Sequence, residues 1–422
     1  MLHKKLLGLA TVAVATVTIA ACSEQLEGGI ACPLLCPRQP TTLLDTTIDA
    51  VVVDTTVLGL PPIGSEAFMM LASHGDTLDA RAIIRFDTLP GSYTKSGIDS
   101  TIVNIDTAQV VAPIVKPDSA HRPKAPITIE AYNVDTTGAD TIAAVLGSLF
   151  RPGRLIGSKT FAPESLTDTL RIPISTDTVL DRVKSGGRLR VGLRLVSSVG
   201  YNMQLGTVQS GRNAQLRIVA SKDTAARPVL VSPLSTTPTD VSFLADQLSD
   251  YSIVLRGANS TPAGLLGVGG VPSRRVYFRL SIPSHIVDST SIVRASLELT
   301  QMPNRRLNPK DSIYVFPSPI VAAPLVTDIR TALQFLGGAA SVGLDSLKLA
   351  PADSGVRSFE IVGLVRQWRL RDTTLTPRTL ALRAGTEGQA PQEINFFSSR
   401  AGNAVRPRLR LTYAPQTSTG LP

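Results

Sequence analysis

The sequence is poor in the residues that most often carry chemistry: it has three cysteines, four histidines and one tryptophan in 422 residues, with 5% aromatics. A serine or cysteine nucleophile needs a positioned base, usually histidine. Beyond His3 there are only His74, His121 and His285, with no G-x-S-x-G elbow, and they read as surface or loop residues. No two of them share a ligand spacing, so no metal site is expected. The Asp-x-Asp-x-Asp loop with its glycine and closing glutamate is missing, which excludes an EF-type calcium site. No cofactor is expected, with a scattered structural calcium left open. Long helical patterns are absent, and so is any nucleic-acid motif with interleaved aromatics.

What is present begins with an export signal. His3, Lys4 and Lys5 precede a 16-residue apolar run, Leu6 to Ala21, too short to span a bilayer comfortably and ending in small residues. Ile19-Ala20-Ala21-Cys22 resembles the lipobox of bacterial lipoproteins. The resemblance implies cleavage before Cys22, lipid on that cysteine and a tethered, non-spanning protein of the cell envelope. Ser23 stands where an inner-membrane retention signal often places aspartate, which points to the outer membrane. Cys32 and Cys36, in Cys32-Pro33-Leu34-Leu35-Cys36-Pro37, are expected to form a local disulfide in the tether.

The 401 residues from Cys22 onward suit two domains. Hydrophobic residues at 43% and charged residues at 18% favour a folded, strand-rich chain over disorder. The net charge of +9, or +7 without Lys4 and Lys5, admits anionic glycans or lipid head groups as partners, while the envelope setting argues against nucleic acid.

Self-similarity is the strongest internal signal. Arg81-Ala82-Ile83-Ile84-Arg85-Phe86 matches Arg275-Val276-Tyr277-Phe278-Arg279-Leu280 at an offset of 194, and Ala214 to Ala220 matches Pro407 to Tyr413 at 193. Arg188 to Leu195 pairs with Thr379 to Arg383. In Arg188 to Leu195 apolar residues alternate with Arg or Gly, which a strand sorts onto a core face and a wet face.

The fold class expected is all-β: two tandem antiparallel, jelly-roll-like β-sandwich domains, each with one short helix. The divisions are a signal peptide at 1–21, a tether at 22–42, a first domain at 43–220, a proline-rich linker at 221–240, a second domain at 241–413 and a tail at 414–422. The second helix carries Ile361, Leu364, Val365 and Trp368 on one stripe, and a shorter one carries Val179, Leu180 and Val183 before Gly186-Gly187. On that stripe Trp368 reads as structural rather than as a sugar-stacking residue.

Arg274 to Leu280 with Pro283, the Val365/Trp368 pair, and Asn395-Phe396-Phe397-Ser398-Ser399-Arg400 leading into Arg406 to Tyr413 resemble the DNRLRE domain family. These are exported bacterial β-sandwich modules, some related to carbohydrate-binding modules. The resemblance spans residues 245 to 413 and implies a binding module.

Arg85, Arg188, Arg190 and Arg194 in the first half, and Arg279, Arg408 and Arg410 in the second, fall on the polar sides of their strands. If neighbours, they form either a basic face for carboxylate, sulfate or phosphate or, the reading favoured here, a solvated face neutralised by nearby Asp and Glu. Acid pairs such as Asp76 with Asp79 and Asp135 with Asp140 match no glycosidase geometry from sequence. Repeated Asp-Thr pairs, as at Asp45, Asp54, Asp135 and Asp372, read as local strand-end hydrogen bonding. The function expected is that of a non-enzymatic cell-envelope lipoprotein that binds a glycan or a surface partner, an anionic polysaccharide or an envelope protein being the candidates. A structural or assembly role in the envelope is the alternative, and a glycan-degrading enzyme the third reading.

Overall fold

The computed structural model describes residues 43–59, 63–64, 66–116, 119–138, 141–222, 226–236, 248–257, 261–320, 345–369, 378–385 and 387–415. The leader, Cys22, Cys32, Cys36, the tether, Asp140 and Asp372 lie outside the described residues. From Asp45 on the chain forms one unit.

Two strands come first, β1 (Leu44–Ile48) and β2 (Val51–Leu58). The first repeat then runs β3 (Phe68–Ser73), β4 (Asp79–Phe86), a hairpin of β5 (Ser92–Lys95) and β6 (Ile98–Thr101), β7 (Thr107–Pro113) and β8 (Ile127–Asn133). It continues with helix α1 (Ala143–Gly147), β9 (Leu155–Phe161), β10 (Thr169–Pro173), helix α2 (Thr176–Lys184), β11 (Leu189–Ser197), β12 (Tyr201–Gly206) and β13 (Gln215–Val219). After β14 (Val229–Val231) and β15 (Asp250–Arg256) comes the second repeat. It holds β16 (Leu265–Gly269), β17 (Arg274–Leu280), helix α3 (Ser284–Val287), β18 (Thr290–Met302), β19 (Ile313–Pro319), β20 (Leu347–Leu349) and β21 (Gly355–Glu360). Helix α4 (Val362–Gln367), β22 (Thr379–Ala384), β23 (Glu393–Phe397) and β24 (Arg408–Pro415) complete it.

The fold is all-β and built of antiparallel sheets. In the first repeat the order is β12-β3-β4-β11-β8-β9 in one sheet and β10-β7-β13-β14 in the other. The second repeat reproduces both, as β23-β16-β17-β22-β19-β20 and β21-β18-β24-β1. There the long strand β18 runs on to pair with β23 at Gln301 and Met302, which joins its two layers. An isolated bridge, Ile114 to Leu205, marks the same corner in the first repeat. Each repeat encloses its own core: Met69, Ala82, Ile84, Val110, Leu170 and Leu216 are among the residues of one, and Val276, Phe278, Leu297, Phe359, Leu382 and Leu411 of the other.

The expected domain boundaries do not follow the sheets. β2, placed at 43–220 with the first domain, pairs along β17 of the second, from Leu58 against Arg274 to Val51 against Leu280. β15, placed at 241–413, pairs along β4 of the first, from Asp250 against Ile84 to Arg256 against Asp79. β1 likewise takes the position beside β24 that β14 takes beside β13. The leading strand pair of each repeat thus closes the other one. Sequence periodicity reports which face a strand buries but not which edge it joins. For the same reason the expected linker at 221–240 includes a strand, β14, and the expected tail from 414 begins inside β24.

Among the described residues each repeat holds two α-helices rather than one. α2 is capped by the Ser175 hydroxyl, which accepts from the Thr178 amide at 3.2 Å, and buries Val179 and Val183. It ends at Gly186, whose φ of +58° is the left-handed conformation that closes a helix. Ile361, Leu364, Val365 and Trp368 are all buried in the second core, along α4 and its flanks. A wet outer face fails for β4 and β11: Arg85 and Arg190 are 1% and 2% exposed. A second layer of Ile83, Tyr132, Leu146 from α1, Tyr251 and Ile253 covers that side of the sheet.

Candidate functional site

The seven arginines do not form a basic face. Arg85 and Arg190 stand opposite each other in the β4–β11 ladder. Arg85 donates to the Ser235 and Tyr251 hydroxyls at 3.1 Å. Arg190 forks onto both oxygens of Asp87 at 3.1 Å. Burial works to raise the pKa of Asp87, but the Arg190 hydrogen bonds, the Thr236 amide and the two arginine charges hold it below the usual value. Arg188 pairs with Asp135 at 2.7 Å, and Arg194 with its cross-strand neighbour Glu130 at 3.6 Å. At the surface of the second repeat, Arg408 pairs with Asp49 at 3.8 Å and Arg410 with Asp45 at 3.6 Å. Arg279 is half-buried on β17. The acids that neutralise these arginines come from other strands and the connections that follow them, which alternation within one strand does not show. Asp45, Asp54 and Asp135 likewise spend their carboxylates on tertiary partners, Thr412, Ser399 and Arg188.

The cationic surface lies elsewhere, in a cleft of about 580 Å³ between the two repeats. The first repeat contributes Lys116, His121, Arg122 and Lys124 from the segment after β7, with Tyr201, Asn202 and Gln204 of β12. The second contributes Arg306, Lys310 and Asp311 from the β18–β19 loop, and Gln392. Apolar packing of Met70, Ala72, Leu78 and Ala80 against Val271, with Leu307 beside them, holds the repeats together next to it. The Gln204 amide donates across the boundary to the Gln389 carbonyl at 2.6 Å.

Asp311 is the only acid among the described residues that line this cleft, against Lys116, Arg122, Lys124, Arg306 and Lys310. His121 Nε2 donates to its carboxylate at 3.0 and 3.1 Å, Gln392 Nε2 at 3.1 Å and Lys116 Nζ at 3.4 Å. Tyr201 donates its hydroxyl to the His121 carbonyl at 2.8 Å, and burial pushes its pKa up to about 12. His74 Nε2 donates to Asn202 Oδ1 at 3.0 Å, and burial lowers the pKa of the ring. His74 and His121, read from sequence as unrelated loop residues, therefore line one site. They are 47 positions apart, and the β12 strand that brings them together is 80 residues further on. The one signal the sequence offered was the basic run Lys116, His121, Arg122 and Lys124.

A second cleft, of about 530 Å³, opens at the corner of the second repeat beside Asp54, Thr261, Arg274 and Arg400. Its guanidinium Arg274 is paired with Glu393. No group of three or more His, Cys, Asp or Glu that could hold a metal occurs among the described residues. No described helix is long and apolar enough to cross a membrane.

Fold and site together define a two-repeat antiparallel β-sandwich protein with a basic cleft between its repeats. No protein-family model matches the chain, and no curated protein does. Among solved structures, a Macrobrachium rosenbergii nodavirus structure is similar at 10% identity and TM-score 0.17, over 94% of this chain and 98% of that one. The tandem CBM51 modules of a family 98 glycoside hydrolase from Streptococcus pneumoniae are similar at 9% identity and TM-score 0.15, over 86% and 100%. The infectious bursal disease virus VP2 subviral particle gives 8% and 0.13, over 88% and 78%. At such scores no property of those proteins transfers to this one.

Proposed function

We propose that this chain is a non-catalytic, lipid-anchored envelope protein that binds an anionic ligand, an acidic glycan by preference, in the cleft between its repeats. The observation that carries the reading is the convergence of Lys116, Arg122, Lys124, Arg306 and Lys310 on one concave surface with Asp311 as the lone acid among the described lining residues. A concave site concentrates the field of its charges and orients a polyanion better than a flat face does. The anchor is the one implied by the Cys22 motif.

The test is gel retardation and titration calorimetry of the full chain in detergent with polygalacturonate, heparin and neutral dextran, at low and high salt. Retention of the two polyanions that weakens with salt, and loss of affinity of tenfold or more in the double variant Lys124→Glu/Arg306→Glu, are the expected results. Failure to bind either polyanion sinks the reading and leaves the structural or assembly role.

Degradation of a glycan is the second reading, because His74, His121, Tyr201 and two arginines share the cleft. Each candidate acid or base is, however, engaged within the protein: Tyr201 with a backbone carbonyl, His74 with Asn202 and His121 with Asp311. Shortening of the polymer during the same assay would replace the binding reading with the catalytic one.

A further inference from the structure

Asp311 reaches from the second repeat into donors supplied largely by the first. Lys116 and His121 come from the β7–β8 connection, and Gln392 from its own repeat, immediately before β23. A carboxylate ringed by an ammonium, an imidazole N–H and an amide N–H is the arrangement a protein presents to a bound acid group, here satisfied by one of its own side chains.

Gln392 shows that this satisfaction is incomplete. A carboxylate only accepts, so the amide must turn its Nε2 toward Asp311. That orientation leaves Gln392 Oε1 buried without a hydrogen-bond partner among the described residues, in a residue only 3% exposed. A buried amide oxygen left unpaired is unfavourable, and turning it over would set oxygen against carboxylate. A ligand that carries a hydroxyl beside its acid group resolves both: the acid takes over the donors, Gln392 Nε2 among them, and the free Gln392 Oε1 accepts the hydroxyl.

The segment carrying Asp311 is a loop between β18 and β19, not a strand. Its turn is closed by the Asp311 amide on the Asn308 carbonyl at 3.1 Å, with Asn308 at a φ of +46°, a conformation asparagine tolerates. It is held at its base by Asn304 Nδ2 on the Glu393 carbonyl at 3.2 Å and by the Ala352 amide on the Pro309 carbonyl at 2.9 Å. The carboxylate tip can leave its donors without breaking a sheet ladder.

We infer that Lys116, His121 and Gln392 form the subsite for the acid group of a hydroxylated anionic ligand, and that Asp311 fills this subsite as an internal competitor until the ligand displaces it. The inference rests on the anion-binding reading above, and it assigns specificity to three residues and a threshold to a fourth.

The experiment compares wild type, Asp311→Asn, Asp311→Ala and the control Asp99→Asn. Asp99 is an exposed acid on the β5–β6 hairpin, outside the cleft lining. Each full chain is titrated with polygalacturonate, heparin and dextran. Asn at 311 keeps an acceptor for Gln392, and Ala removes it, so one of the two variants reports even if the other misfolds. Removing the competing carboxylate is expected to tighten polygalacturonate about tenfold or more, with Asp99→Asn within twofold of wild type. Heparin, with sulfates as well as carboxylates, distinguishes the acid: a gain confined to it assigns the subsite to sulfate. The inference is overturned if wild type binds, the Lys124→Glu/Arg306→Glu variant does not, and neither Asp311 variant binds more tightly. An equal gain for dextran also overturns it, because no acid group is then involved. If no variant binds any polyanion, the anion-binding reading falls with it.

Discussion

Replacing Asp250 with asparagine should make this protein more stable at neutral and alkaline pH, not less. Asp250 is fully buried where β15 joins the first repeat. One oxygen accepts from the Val208 amide at 3.0 Å, and the other has no partner among the described residues. Burial pushes its pKa up from 3.8 to about 7, and burial together with the Asp250 charge does the same for Glu66, whose carboxylate accepts from the Gly64 amide at 2.6 Å. The folded state therefore holds a proton that the unfolded chain has lost, so between about pH 4 and pH 7 stability falls as pH rises, and it levels off above. A shift of about three units corresponds to a loss on the order of 4 kcal/mol for Asp250 once fully ionised. At about 2–4 °C per kcal/mol for a lobe of this size, that is a Tm difference on the order of 10 °C between pH 4 and pH 8. Asp250→Asn keeps an acceptor for Val208 and removes the titration. Thermal unfolding by circular dichroism at pH 4, 6 and 8 should show a flatter profile in the variant and a higher Tm at pH 8. An unchanged slope, or a variant less stable than wild type at pH 8, would refute the argument. The second repeat supplies an internal comparison: Asp54 stands against Phe278 as Asp250 stands against Ile84, yet both its oxygens are satisfied, by the Ser399 amide at 2.5 Å and the Ser399 hydroxyl at 2.9 Å.

Two further outcomes follow from the packing. Asp87→Ala removes the carboxylate onto which the buried Arg190 guanidinium forks, leaving Asp135 at 4.0 Å, and should lower stability by about 2–3 kcal/mol, read as a shift of the urea midpoint; a change below about 1 kcal/mol would mean that Asp135 or water takes over the pair. Deleting residues 1–58 removes β1 and β2 and should raise amide exchange along β17 and β24 in the second repeat while β4 and β13 in the first keep their protection, because β15 and β14 remain; uniform exchange in both repeats would show that the strand exchange does not localise stability.

Much of the architecture is written in short stretches of sequence. Arg81 to Phe86 and Arg275 to Leu280 announce equivalent strands, and they occupy equivalent places as β4 and β17. The stripe Ile361, Leu364, Val365 and Trp368 announces a buried helical face, and Gly186 its predecessor's end. Such features rest on contacts a few residues apart, where spacing alone decides which side chains share a face. The tertiary structure decided what depends on distant partners. The polar faces of β4 and β11 are wet only if nothing covers them, and a helix after β8 and a strand 164 residues beyond β4 do so, turning Arg85 and Arg190 into buried residues. The arginine face dissolved because Glu130, Asp135, Asp87, Asp45 and Asp49 arrive from other strands and the connections that follow them. The strand exchange was equally invisible, since an edge strand carries the same alternation whichever sheet accepts it. The cleft depends on the same reach: Lys116, His121 and Asp311 acquire a common site only when the two repeats meet, 190 positions of chain apart between the histidine and the acid it holds. Alternation and duplication fix the sandwiches locally; charge neutralisation, strand partnership and the site are long-range, and only the folded chain decides them.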